Sequence, residues 1–194
     1  MAHLVSRHRL GPHRDPQVDE KVLAVTRQLL VQRGYRGTSI DAIARESGVS
    51  RTAVYRRWPS KTHVVYEAVF PNALGESTAM RDNPRDEVAH AVRRVVAFLG
   101  QPAARHAMPG LLSDLNPLIE SQSALAESDW VQMSAGLSAL IDLHPALFRR
   151  VDAETLLDTI VGAAFHACCV RGVDDLDSYS QSLTDLLFNG LLRH

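Results

Sequence analysis

The sequence is short of the features that mark most other classes of protein. Its two cysteines, Cys168 and Cys169, are adjacent in a helical pattern and cannot readily bridge each other, so no disulfide framework is available. No apolar run reaches the roughly 18 residues needed to cross a bilayer, and the opening Met1 to Arg9 lacks the apolar core of a signal peptide. A cytoplasmic protein with no membrane partner is expected. There is no Gly-rich phosphate loop, nucleophile elbow or zinc-protease helix, so an enzyme is not expected. His90, His106, His144 and His166 fall at no compact ligand spacing with acids or cysteines, and neither a metal site nor a cofactor is expected. Asp174, Asp175 and Asp177 cluster at a loop and helix start, where solvation and capping account for them. With no strand pattern, internal repeat or low-complexity tract, the reading is all-α.

What is present is asymmetric. Residues 1–62 hold 12 Lys and Arg against 5 Asp and Glu, a net +7, whereas residues 63–194 hold 9 against 17, a net −8. A basic front joined to an acidic rear suits a nucleic-acid reader attached to a domain with another task. The 194 residues suffice for one good core, or for one small and one medium domain.

The basic front carries the most specific pattern. Val18, Val22, Val25 and Leu29 recur at helical spacing and predict a first helix ending near Arg33-Gly34. Ile40, Ile43, Val49 and Val54 supply apolar contacts between two short helices, with Ala44 small enough for them to cross closely. Gly48 falls where the first of the pair must stop, Thr38 and Asp41 have capping-box spacing, and Ser50 can cap the second helix. The outward face of that second helix offers Arg51, Thr52, Tyr55 and Arg56 to a major groove. Ser60 then caps a connecting helix ending by Pro71-Asn72.

Arg33-Gly34-Tyr35, Thr38-Ser39, Ile43-Ala44, Gly48-Val49-Ser50, Tyr55-Arg56, Trp58 and Ser60-Lys61 together closely resemble the N-terminal domain of TetR-family transcriptional repressors, over Asp15 to about Phe70. Trp58 stands where the family more often has Phe, and Arg57 where His is common. The resemblance implies a three-helix helix-turn-helix DNA-binding domain followed by a helical ligand-binding and dimerisation domain. It divides the chain into a flexible basic arm at 1–14, the DNA-binding domain at 15–60, a connecting helix at 61–74 and an effector and dimerisation domain at 75–194. By family position, Thr38, Tyr55, Arg57 and Lys61 are expected to hold phosphates, Arg51, Thr52 and Arg56 to touch bases, Ser50 to lie at the same interface, and Arg14 to extend the basic arm toward the minor groove.

The rear has apolar stripes but no motif. Val88, Val92, Val95, Val96 and Leu99 line one helix after Pro84; Pro102, Pro109 and Gly110 predict a short or bent one next; Pro117 opens a longer pattern running to His144-Pro145. Two final helices, Asp152 to about Val170 and Asp177 to about Leu192, follow. Proline and glycine breaks favour a cavity, with Phe98, Met108, Leu112, Trp130, Met133 and Leu137 as walls and His106, Asn116 and Ser134 as polar handles. Such a lining suits a small, mostly apolar effector. Gly162, Ala163, Ala164 and Ala167, with Leu183, Leu186, Leu187 and Leu191, leave faces on the last two helices that the resemblance implies form a homodimer interface. The expected activity is a repressor on an inverted-repeat operator, released by its effector. An effector-independent regulator or activator, and more distantly a helical small-molecule binder or enzyme, stay open. So does a reactive role for the cysteine pair against simple apolar filling.

Overall fold

The computed structural model describes residues 15–70, 83–115, 123–148 and 151–191, and among them every regular element is helical. The basic arm with Arg14, and Asn116, lie outside the described residues.

Helix α1, Pro16–Gly37, begins with Pro at its first turn and with the Asp15 carboxylate accepting from the Gln17 amide. It breaks where the sequence predicts an end: Gly34 sits at φ 66° and ψ 179°, a conformation open essentially to glycine alone. Helices α2, Ile40–Ser47, and α3, Arg51–Tyr55, follow. Gly48 ends α2 at φ 67° with its amide on the Ala44 carbonyl, and the Ser50 hydroxyl accepts from the Ala53 amide to start α3. One cap differs from expectation. Ser39, not Thr38, caps α2, accepting from the Ala42 amide at 3.2 Å, because the Thr38 hydroxyl is turned back to donate to the Gly34 carbonyl across the break in α1. Asp41 instead reaches Arg51.

Helix α4, Lys61–Val69, is capped by Ser60. Helix α5, Pro84–Leu99, has Asn83 as its cap and Pro84 at its start. Helix α6, Pro102–Leu115, is not the short element that was one expectation: it runs through Pro109, which is exposed. Helix α7 spans Ser123–Leu143, and α8, Ala153–Phe165, is capped by Asp152. A π-helical turn, His166–Arg171, continues α8 until Gly172 at φ 69°; α9 spans Leu176–Leu191. Contrary to the count of uninterrupted apolar residues, the joined segment Ala153–Arg171, with mean hydropathy 1.3, is long and apolar enough on average to cross a membrane. It carries Glu154 and Asp158, and it buries Leu156, Leu157, Ile160 and Ala164 against α5 and α7.

Two apolar cores result. The front core joins Val22, Leu23 and Leu29 of α1 to Ile40, Ile43, Val54, Trp58 and Val64. The rear core joins α5, α6, α8 and α9 through residues such as Val92, Val96, Ala104, Leu111, Leu157, Ile160 and Leu187, with Leu137 and Leu140 of α7. Helices α1 and α4 serve both: Leu29 and Val64 face forward, while Leu30, Tyr35, Val65 and Val69 belong to the rear core. The connecting helix is thus an integral layer between the two.

Candidate functional site

Helix α3 is held from behind and open in front. Val54 is fully buried, while Arg51, Thr52, Tyr55 and Arg56 are exposed, Tyr55 by 45%. These four share the exposed side of the helix, with Ser50 exposed at its start and its hydroxyl engaged as the cap. Arg51 pairs with Asp41 at 2.5 Å, both side chains being more than half exposed. Such a pair is worth about 0–1 kcal/mol, so Arg51 can leave it for a better acceptor at little cost.

Two expected phosphate ligands, Thr38 and Arg57, are turned inward, and a third, Lys61, is half-buried. Thr38 is 1% exposed with its hydroxyl on Gly34, and faces inward. Arg57 is folded into the protein: its Nε lies 2.5 Å from Asp19 Oδ1, its Nη1 donates to the Ala53 carbonyl at 3.1 Å, and the two paired side chains are 9% and 12% exposed. It therefore ties α3 to α1, because a buried Asp19 needs a nearby cation more than the surface needs another arginine. Lys61 is half-buried, its Nζ 3.7 Å from the centre of the Tyr35 ring. Burial lowers its pKa, and the charge of Asp114 opposes that shift.

Lys61 thus belongs to a junction that sequence reasoning missed. The Tyr35 hydroxyl donates to Asp114 Oδ2 on α6 at 2.6 Å, and burial, followed by this bond, pushes its pKa up to about 12. On its other side the ring lies against Gly110, where a Cβ would come within 2.9 Å of three Tyr35 atoms. Gly110, read from the sequence as a helix break, instead permits a close approach; a glycine inside a helical pattern carries that second meaning.

The expected effector walls are partly brought together. Phe98, Met108 and Leu137 are buried in the rear core and Met133 packs against it. Phe98 also meets Phe70, with ring centres 4.8 Å apart, and Phe70 stacks on Tyr66 of α4. Ser134 is half-buried. Leu112 is a correction: it is 49% exposed, because Leu111, at 0%, takes the inward position on α6 after Ala104 and Met108. His106 is exposed and lines a cleft on the other side of α6, beside Tyr35 and Lys61. The side chain of Trp130 lies outside the described residues.

The expected dimer residues divide. Ala164, Ala167, Leu183 and Leu187 are buried within their own chain, so they complete the core and present no free face. Gly162 is exposed, Ala163 half-exposed and Leu186 69% exposed; Val170, not singled out from sequence, is 61% exposed. The side chain of Leu191 lies outside the described residues. Cys168 and Cys169 point at the Val96 and Leu99 carbonyls of α5. Burial raises both thiols, Cys169 to about 11, which leaves little thiolate and favours the packing role.

Comparison with known proteins agrees with this architecture. Residues 22–68 match the model of the family described as bacterial regulatory proteins, tetR family. The uncharacterized HTH-type transcriptional regulator Rv1556 of Mycobacterium tuberculosis is 44% identical over 90 residues, 44% of this chain and 43% of that protein, so the match spans under half the length of that relative. The uncharacterized HTH-type transcriptional regulator YdeS of Bacillus subtilis is 23% identical over 190 residues, 93% of each chain. Among solved structures, NalD, the secondary repressor of the MexAB-OprM multidrug efflux pump in Pseudomonas aeruginosa, superposes with a TM-score of 0.64 at 19% identity, over 92% of this chain and 97% of its own. A Saccharomonospora viridis protein in complex with choline gives 0.64 at 20% identity, over 93% and 100%. At these identities the structural likeness establishes a shared fold. The residues that match the tetR family of bacterial regulatory proteins are thus folded as a helix-turn-helix at the head of a chain whose described elements are all helical.

Proposed function

We propose that the chain is a cytoplasmic, DNA-binding transcriptional regulator that acts as a homodimer on an inverted-repeat operator, and that it is a repressor released by a small, mostly apolar effector. The observation that carries this reading is the open face of α3, with Arg51, Thr52, Tyr55 and Arg56 exposed over a buried Val54. Arginine can read guanine there, and the Tyr55 hydroxyl can grip a phosphate. Two-fold pairing through Gly162, Ala163, Val170 and Leu186 would set two such heads on one duplex, with half-site centres about one helical turn or more apart. A protein of the same fold forms a complex with choline, which supports a small-molecule effector. Since α1 and α4 pack into both cores, an effector that prefers one arrangement of the rear core would shift the front, provided it binds the DNA-incompetent arrangement more tightly.

The test is selection of genomic fragments by the purified protein, followed by titration of the enriched duplex at fixed salt. Arg51→Ala should change which sequences are enriched, by about 1–3 kcal/mol at the base it reads. Arg57→Met should lower the melting temperature, since it leaves the buried Asp19 without its cation. Enrichment without an inverted repeat, or identical preferences for wild type and Arg51→Ala, would overturn the reading.

A further inference from the structure

Where α1 and α4 meet α6 there is a cleft of about 620 Å³, within the roughly 300–1,000 Å³ usual for ligand pockets. Its walls carry Arg33, Arg36, Lys61 and His106 against one carboxylate, Asp114. Some of these charges are already engaged. Arg33 reaches Glu46 at 2.8 Å, on the front side, and Asp114 accepts the Tyr35 hydroxyl. Lys61 is half-buried with an aromatic face and that same carboxylate in place of much of the water an ammonium keeps at a surface. Arg36 is exposed, and Ser113 adds an exposed hydroxyl from α6. The excess is positive, although residues 63–194, which include α6, carry a net −8.

We propose that this cleft binds a small anion carrying carboxylate or phosphate groups, held by Arg36 and Lys61 with Ser113 as a hydroxyl donor. A guanidinium fork matches two oxygens of either group, and an ammonium in a partly desolvated wall gains more from an anion than it would in open water. Such a molecule would touch α1, α4 and α6 together, and so both cores. No residue of the exposed α3 face lines this cleft.

The test is isothermal titration of the full chain with citrate and with inorganic phosphate at fixed ionic strength, for wild type, Arg36→Ala, Ser113→Asp and Arg93→Ala. Arg93 is an exposed cation on α5 that does not line the cleft. Saturable binding of either probe is expected, weakened about tenfold or more by Arg36→Ala and Ser113→Asp, as loss of a charge-assisted bond implies, and unchanged by Arg93→Ala. The same probe should raise the melting temperature of wild type and leave that of Arg36→Ala unmoved. No saturable heat with either probe, or equal weakening by all three substitutions, would overturn the proposal. So would a loss of non-specific duplex binding in Arg36→Ala without any anion binding, which assigns these cations to the DNA backbone.

Discussion

The front and rear cores are stabilised by different means. In the front, a small apolar cluster is closed by polar devices: hydroxyl caps at Ser39, Ser50 and Ser60, a left-handed glycine at 48, the Arg57–Asp19 pair, and the Trp58 indole donating to Glu67 at 2.7 Å. In the rear, α5, α6, α8 and α9 interlock through Val, Leu, Ala and Phe, with Thr184 and Ser180 returning their hydroxyls to the carbonyls of their own helix. A cluster as small as the front one has little area with which to select a single arrangement, so directional bonds fix how α3 is aimed. The rear has area to spare and is specified by packing.

The largest effect that would break this contrast is a charge in the rear core. Leu187 is 7% exposed and packs inward, whereas its neighbour Leu186 is 69% exposed. Leu187→Asp should cost several kcal/mol, the effective penalty for an unpaired buried ion, and should give an unfolded or molten rear. Leu186→Asp should leave the melting temperature of the isolated chain almost unchanged and weaken self-association. Sedimentation together with thermal unfolding separates the two. If Leu187→Asp folded normally and only dissociated, the assignment of these two faces would be reversed.

A middle-sized effect tests the layer that both cores share. Gly110→Ala would push a methyl group into the Tyr35 ring, and Tyr35 is fixed from below by Lys61 and at its tip by Asp114. Overpacking of this kind costs about 1–3 kcal/mol. Tyr35→Ala should be destabilising alone, yet in combination with Gly110→Ala it should be less damaging than the sum of the two, since the methyl then meets empty space. A strictly additive double mutant, measured by denaturant unfolding, would mean that the ring and the helix do not press on each other.

The same contrast explains what could be read before the structure. The front was legible almost residue by residue because short-range chemistry specifies it: Gly48, Ser50, Ser60 and the spacing of Ile43, Val49 and Val54 each have a local meaning. Its errors were errors of partner. Thr38 and Arg57 look like surface ligands in sequence, but Gly34 and Asp19 hold them, and only Gly34 is a close neighbour in the chain. In the rear, helix existence was legible and helix rotation was not. Leu111 and Leu112, or Leu186 and Leu187, are equivalent as letters, and only the neighbouring helices decide which faces in. Pro109 and Gly110 carried information of a long-range kind, about an outer surface and a close approach, and a local reading turned them into a break.

The smallest effect is one of pH and belongs to the junction of the front with α4. His63 is half-buried on the first turn of α4, with its Nδ1 2.7 Å from the Ser60 hydroxyl that caps the helix. Burial lowers its pKa below the ordinary 6.5, so the folded chain favours the neutral ring. The unfolded chain takes up its proton near 6.5, and between that value and the lower folded one it binds more protons than the folded chain. Stability contributed through His63 therefore rises with pH across that window and is lost on acidification below 6.5. His63→Gln removes the titration while keeping a polar side chain. The difference in unfolding free energy between wild type and variant, followed from neutral pH downward, should move against wild type as pH falls. A difference that stays flat through the imidazole range would show that the ring is as well hydrated in the folded chain as in the unfolded one.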